Sequence, residues 1–173
     1  MTQAALAQRL EADPEPPDEK PAYELIELFF FAYRDFVGDP DRILSDYGFG
    51  RAHHRVLHFV DRHPGLTIAE LLEILKITKQ SLNRVLRELI EKGFVEQRAG
   101  TEDRRQRLLF PTAAGHRLAV QLAGLQTKRI ERALGRDAVE LKVAASRFLL
   151  AMIDPSDQAE VGRLIAKAGG PRD

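Results

Sequence analysis

Hydrophobic residues recur at helical spacing in two short segments near the middle of the chain. In the first segment an apolar stripe falls at positions i, i+3, i+4 and i+7: Ile68, Leu71, Leu72 and Leu75. Thr67 is predicted to cap this helix, because Glu70 stands three residues later and completes a capping box. Only two residues separate it from a second helical segment, 78–92, and a link this short predicts a helix-turn-helix.

The second predicted helix divides into two opposite arcs. Its apolar arc consists of Leu82, Val85, Leu86, Leu89 and Ile90. At about 100° per residue, the polar arc on the other side consists of Gln80, Asn83, Arg84, Arg87 and Glu91. Lys79 and Ser81 flank its first turn. Amide and guanidinium groups pair with base edges in the major groove, so the polar arc is a candidate DNA-reading surface; an ordinary solvated face is the alternative.

A short strand, an arginine-rich loop and a second short strand follow, over residues 94–111. Gly93 is predicted to end the preceding helix in the left-handed conformation. Four arginines cluster at the strand ends and the tip of this hairpin: Arg98, Arg104, Arg105 and Arg107. Asp103 is predicted to orient one of them through a bidentate ion pair. An arginine held in this way suits the narrow minor groove, which favours DNA binding over a purely structural helical hairpin.

These motifs resemble the MarR (multiple antibiotic resistance regulator) family of bacterial winged-helix transcription factors, over about residues 23–153. The resemblance is carried by LTIAELL at 66–72, TKQSL at 78–82, LIEKGFV at 89–95, DRR at 103–105 and TAAG at 112–115. It implies a homodimer, a pseudo-palindromic operator and repression relieved by a small-molecule effector. The chain departs from the family at Pro111. Because proline cannot donate to a sheet ladder, we expect the second wing strand to end early or to lie at an edge.

The predicted fold class is mainly α with a small β-hairpin wing, a winged helix-turn-helix whose N- and C-terminal helices form a dimerisation region. We expect residues 46–111 to form the DNA-binding region. Residues 23–45 and 112–167 are expected to form the dimerisation region, which includes a long helix from about Thr112. Residues 1–22 contain four prolines among acidic residues and are expected to be a flexible arm.

Two segments of the predicted dimerisation region are more apolar than a single packing face requires. Residues 23–37 and 138–153 are hydrophobic around most of a helical circumference. This pattern predicts a large hydrophobic interface between two copies of the chain. A thick monomer core is the alternative.

The composition is that of an ordinary globular protein, with 173 residues, 44% hydrophobic, 30% charged and no net charge. Between Lys79 and Arg107, however, eight basic and five acidic residues give a local charge of +3, so the remainder carries −3. A basic surface on an acidic body orients a protein on DNA. There is no cysteine, no apolar run of membrane-spanning length and no secretory pattern at the N-terminus, so we expect a cytoplasmic protein.

Four of the five histidines lie in or beside a helix predicted over 46–61. His53 falls on its apolar face, either as a hydrogen-bonded core histidine or as a polar contact in an effector pocket. His54, His58 and Asp61 share the opposite face. They are candidate Zn²⁺ ligands in a metal-sensing variant, but an ordinary solvated face is favoured because a further strong ligand is missing. No cofactor is expected.

The sequence contains no recognisable catalytic arrangement, so we do not expect an enzyme. There is no cysteine nucleophile and no glycine-rich phosphate loop, and neither Ser45 nor Ser81 stands near a convincing base. The predicted function is a sequence-specific regulator of transcription that binds double-stranded DNA as a homodimer. The alternative is a winged-helix protein-interaction module in a larger assembly, which would not require the arginine-rich tip.

Overall fold

The computed structural model describes residues 20–100, 105–135 and 138–168. The chain divides into two compact units, residues 1–34 and 35–173. Residues 1–19 of the predicted arm, and the wing-tip residues Asp103 and Arg104, lie outside the described ranges.

The described residues form helices and three short strands, which confirms the predicted mainly helical class with a small β wing. In chain order they are α1 (Tyr23–Ser45), α2 (Arg51–Arg62), β1 (Leu66–Thr67), α3 (Ile68–Leu75), α4 (Lys79–Glu91), β2 (Val95–Ala99), β3 (Arg107–Pro111), α5 (Ala113–Leu134), α6 (Ala138–Ala151) and α7 (Pro155–Ala168). No helix in the described ranges is both long and apolar enough to cross a membrane.

Helices α3 and α4 form the predicted helix-turn-helix. The backbone N–H of Thr67 donates to Glu70 Oε2 at 2.8 Å, and the N–H of Glu70 donates to Thr67 Oγ1 at 3.2 Å, which is the predicted capping box. The turn between the helices passes through Lys76, whose backbone is left-handed with φ 50°. Thr78 then caps α4 by accepting a hydrogen bond from the N–H of Ser81.

The wing belongs to a three-stranded antiparallel sheet in the order β1–β3–β2. The expectation for Pro111 is wrong in both its forms, because β3 is the central strand and extends to Pro111, opposite Val95. The N–H of the next residue, Thr112, donates to Phe94 O at 3.1 Å. Hydrogen-bonded and non-hydrogen-bonded pairs alternate in such a ladder, so the Pro111–Val95 pair is a non-hydrogen-bonded one. The missing N–H of Pro111 therefore removes no hydrogen bond from the ladder between β2 and β3.

Thr112 connects the end of α4, the wing and the start of α5 through three hydrogen bonds. Besides its backbone bond to Phe94, Thr112 donates its hydroxyl hydrogen to the carbonyl of Gly93 at 2.6 Å. The same hydroxyl accepts the N–H of Gly115 at 3.1 Å and so caps α5. Gly93 itself has φ 75°, the left-handed conformation predicted for it. A Cβ on Gly115 would lie 1.9 Å from Phe94 O, so the two backbones touch here.

Helix α2 begins later than predicted. Residues 46–48 form a turn in which Gly48 has φ 67°, and the helix starts at Arg51. Helix α2 packs against both α4 and α5, so two of its faces are covered. Around it lies one continuous core whose fully buried leucines are Leu44, Leu57, Leu71, Leu82, Leu89, Leu109 and Leu122.

Candidate nucleic-acid interface

The recognition helix α4 is positioned by its apolar arc. Leu82 and Leu89 are completely buried, Val85 and Leu86 are nearly so, and Ile90 is half-buried against the same core. Because this arc is fixed against the protein, the polar arc must face outward. Four of its five members, without Glu91, line one open groove of about 660 Å³ together with the two neighbours of its first turn: Lys79, Gln80, Ser81, Asn83, Arg84 and Arg87. The structure therefore places in one groove six of the seven polar residues that the sequence indicated on this helix.

Three side chains of this groove have no partner among the residues that the structure describes. Within residues 20–100, 105–135 and 138–168, no hydrogen bond or ion pair engages the side chains of Asn83, Arg84 or Arg87. Each is exposed to solvent. An exposed guanidinium or amide that serves no internal contact is available to a ligand carrying acceptors, such as a base edge or a phosphate.

The wing arginines differ in their surroundings. Arg105 and Arg107 are exposed, Arg107 at the first position of β3. Arg98 is instead turned across the sheet, where its Nε donates to Glu96 Oε1 at 3.0 Å. Its guanidinium carbon lies 4.4 Å from the centre of the Phe110 ring, a cation–π contact. Arg98 thus braces the base of the wing in this structure, although it remains partly exposed.

A second groove of about 430 Å³ lies on the side of α4 that faces the sheet. It is lined by Ile68, Asn83, Leu86, Arg87, Ile90, Glu91 and Gln97. Gln97, which is exposed on β2, was not among the predicted contacts. The signal that could have found it is the alternation of side chains along a strand, which separates Gln97 from its neighbours Glu96 and Arg98.

His53 has both ring nitrogens engaged. Its Nδ1 accepts the backbone N–H of Gly50 at 3.1 Å, so its Nε2 carries the hydrogen and donates it to Glu88 Oε2 at 2.9 Å. The ring stacks on Phe49 with centroids 4.7 Å apart. This geometry favours the hydrogen-bonded alternative over a free polar contact, and it links α2 to the recognition helix.

The candidate metal ligands are not on a solvated face. Asp61 is only 4% exposed, and its Oδ1 lies 2.7 Å from Nδ1 of His116 on α5. His54 and His58 are half-buried, and this burial lowers the pKa of each imidazole. The helical wheel misplaced them because α2 is covered on two sides rather than one. Among the described residues, no group of three or more metal-ligating side chains has the geometry to hold a metal ion.

Comparison with known proteins agrees with this geometry. The model of the MarR family matches residues 47–106. The chain is 52% identical to the HTH-type transcriptional regulator PetP of Rhodobacter capsulatus over 132 residues, 76% of this chain and 79% of PetP. It is 25% identical to the reduced form of MarR from E. coli, covering 80% of this chain and 99% of that one, with a TM-score of 0.56.

A further solved structure is informative for the fold alone. Streptococcus pneumoniae FabT, solved in complex with DNA, is 16% identical and has a TM-score of 0.63 over 75% of this chain and 94% of FabT. PetP is named as a regulator of transcription, which is not a class of enzyme. On the identity to PetP and the family match, this chain belongs to the MarR family of helix-turn-helix, DNA-binding transcriptional regulators.

Proposed function

We propose that two copies of this chain bind one pseudo-palindromic duplex and repress transcription from it until a small molecule releases them. Each copy inserts α4 into a major groove, with residues 46–111 as its DNA-binding region. Residues 23–45 and 112–167 hold the pair together. Because such a regulator acts on the bacterial chromosome, the proposal includes a cytoplasmic location.

The observation that carries the DNA-binding mode is the outward polar arc of α4, in which Asn83, Arg84 and Arg87 have no internal partner among the described residues. Arg84 and Arg87 project from the same face as Asn83, at the spacing of successive helical turns. Arginine pairs bidentately with guanine and asparagine with adenine, so the arc offers readout of more than one base type. The exposed Arg107 extends the cationic surface to the wing.

The homodimer is supported by apolar surfaces within each unit. In the first half of α1, Tyr23, Leu25, Leu28, Phe30 and Phe31 are all more than half exposed. Helix α6 has no buried residue, and its Val139 is 76% exposed. Large exposed apolar patches mark interaction surfaces, and a second copy would cover both.

The experiment that tests the proposal is selection of bound sequences from a pool of random duplexes. Twofold symmetry of the protein predicts an inverted repeat whose half-sites are about 10 bp apart, centre to centre. Arg163→Ala, which removes an exposed arginine from α7, serves as a control that should recover the same repeat. Failure to retain any duplex at low salt would instead favour the protein-interaction module.

The regulatory step has its own test. A ligand alters the output only by binding one arrangement of the two recognition helices better than another. A reporter gene placed behind the selected operator should be expressed less when the chain is present. A protein-free extract of small molecules should then release the duplex from the purified complex. Unchanged reporter expression would contradict repression, and retention of the duplex would contradict ligand response. His53 remains the candidate residue for the effector pocket, to be tested by His53→Gln.

A further inference from the structure

The turn of the helix-turn-helix holds a lysine where the backbone favours glycine. Among the described residues, Lys76 is the only residue other than glycine with positive φ, at φ 50° and ψ 43°. In this conformation the Cβ of an L residue crowds the neighbouring carbonyl, whereas glycine adopts it freely. Residues held in such conformations concentrate at functional positions, so we expect the side chain of Lys76 to have a function.

The local ion pairs of Lys76 do not supply that role. Its Nζ lies 3.9 Å from Glu73 Oε2 and 3.8 Å from Asp157 Oδ1. The lysine side chain is 63% exposed, and ion pairs between groups this exposed contribute little to stability. Neither contact explains a lysine at a strained position.

Asp157 nevertheless places α7 against the turn. It lies in the first turn of α7, while at the other end Arg62 Nη2 donates to the carbonyl of Ala168 at 2.7 Å. Helix α7 is thus tied to the DNA-binding region at both ends. An acidic side chain in the first turn is also stabilised by the helix dipole, so Asp157 can lose its lysine at small cost.

Lys76 stands at the end of the recognition helix that would enter DNA. It precedes by three residues Lys79, the first residue of α4 and part of the groove described above. In a helix-turn-helix the N-terminal part of the recognition helix reads base edges, which brings the preceding turn close to the phosphate backbone. A flexible, exposed ammonium group is suited to contact a phosphate as a point charge.

We propose that Lys76 contacts a DNA phosphate when α4 occupies the major groove, and that it exchanges Asp157 of α7 for that phosphate on binding. The contact rests on the DNA-binding mode proposed above. It adds a phosphate-binding residue outside the polar arc and the wing. It also makes the release of α7 from the turn part of the binding step.

The first measurement is the salt dependence of binding to the selected operator and to a random duplex. Lys76→Gln in the full chain should lower the slope of log affinity against log salt by about 0.9 on both duplexes, because one phosphate contact is lost. Lys76→Arg should retain the parent slope. Lys20→Gln, which removes an exposed lysine that precedes α1 and lies outside both proposed regions, should do the same.

A second variant, Lys76→Gly, separates the effect of the lost charge on DNA binding from the effect of the left-handed backbone on stability. Lys76→Gly should bind with the same reduced slope as Lys76→Gln but unfold at a higher temperature than that variant, because glycine relieves the left-handed backbone. A parent slope in either variant would overturn the phosphate contact while leaving the binding mode intact. Absence of duplex binding by the parent chain would overturn both.

The partner exchange is tested by Asp157→Asn. Because Lys76 no longer has to leave an ion pair, this variant should bind the operator about two- to fivefold more tightly, the range expected for an exposed pair. The gain should disappear when Asp157→Asn is combined with Lys76→Gln. An equal gain in both backgrounds, or no gain in either, would overturn the exchange.

Discussion

At the scale of single residues, arginines of similar exposure serve different parts of this protein. Arg87 projects from α4 without an internal partner among the described residues and lines both grooves of the interface. Arg98 is committed to Glu96 and to the ring of Phe110. The sequence predicted both as DNA contacts, Arg87 from the polar arc of the helix and Arg98 from the arginine cluster of the hairpin. Only the placement of the neighbouring side chains separates an arginine with no internal partner among the described residues, such as Arg87, from one held by internal contacts, such as Arg98.

Arg87→Ala should relax base preference at one operator position and weaken operator binding by about 1–3 kcal/mol, since a bidentate base contact would be lost. The measurement is a repeat of the duplex selection together with an affinity titration. Arg163→Ala is the matched control. A sequence preference identical to that of the parent chain would remove Arg87 from the set of reading residues.

Two half-buried histidines make stability depend on pH. Burial lowers the pKa of both His54 and His58 from 6.5, because the charged imidazole loses hydration. Below about pH 6.5 the unfolded chain therefore binds more protons than the folded one, and stability falls as the pH falls toward the lowered folded-state values. Thermal unfolding between about pH 8 and about pH 5 should show this loss, and the double variant His54→Gln/His58→Gln should show a smaller one. A double-variant profile as steep as the parent's would contradict this assignment.

At the scale of elements, the sequence predicted correctly those helix ends that are fixed by residues close by in the chain. The capping residue Thr67 and the left-handed Gly93 were predicted from the type and spacing of neighbouring residues alone. Features that depend on distant partners were missed. Strand β1 has only two residues and exists because β3 pairs with it. The outward face predicted for α2 is covered by α5, which begins more than fifty residues later.

The contact between the wing and α5 predicts opposite effects of one substitution at two glycines of the same helix. Gly115→Ala would place a methyl group 1.9 Å from Phe94 O and should destabilise the fold by at least about 3 kcal/mol. Gly124 has open space at its Cβ position, so Gly124→Ala should stabilise the helix by about 0.5–1 kcal/mol. Denaturant unfolding of the two variants provides the comparison. Equal midpoints would show that the junction relaxes around the added methyl group.

At the scale of the whole molecule, the proposed dimer would bury the exposed hydrophobic residues of α1 and α6. Val139→Glu on α6 should shift the chain toward monomer in sedimentation measurements, because a charge would have to be buried in the interface. It should also weaken operator binding, since a pair grips two half-sites at once. Ala69→Glu, on the exposed surface of α3, should leave the sedimentation unchanged. A dimer of undiminished strength in the Val139 variant would place the interface elsewhere.

The junction that Thr112 forms between the wing and α5 has a mechanical consequence. The Thr112 hydroxyl donates to the carbonyl of Gly93 and accepts the N–H of Gly115 in the first turn of α5. Because Gly115 has no side chain, the backbone of α5 lies in direct contact with that of Phe94. The close backbone approach leaves little space for a rotation between the wing and α5. In the proposed dimer, a force that separates the two α5 helices would therefore also change the distance between the two α4 helices.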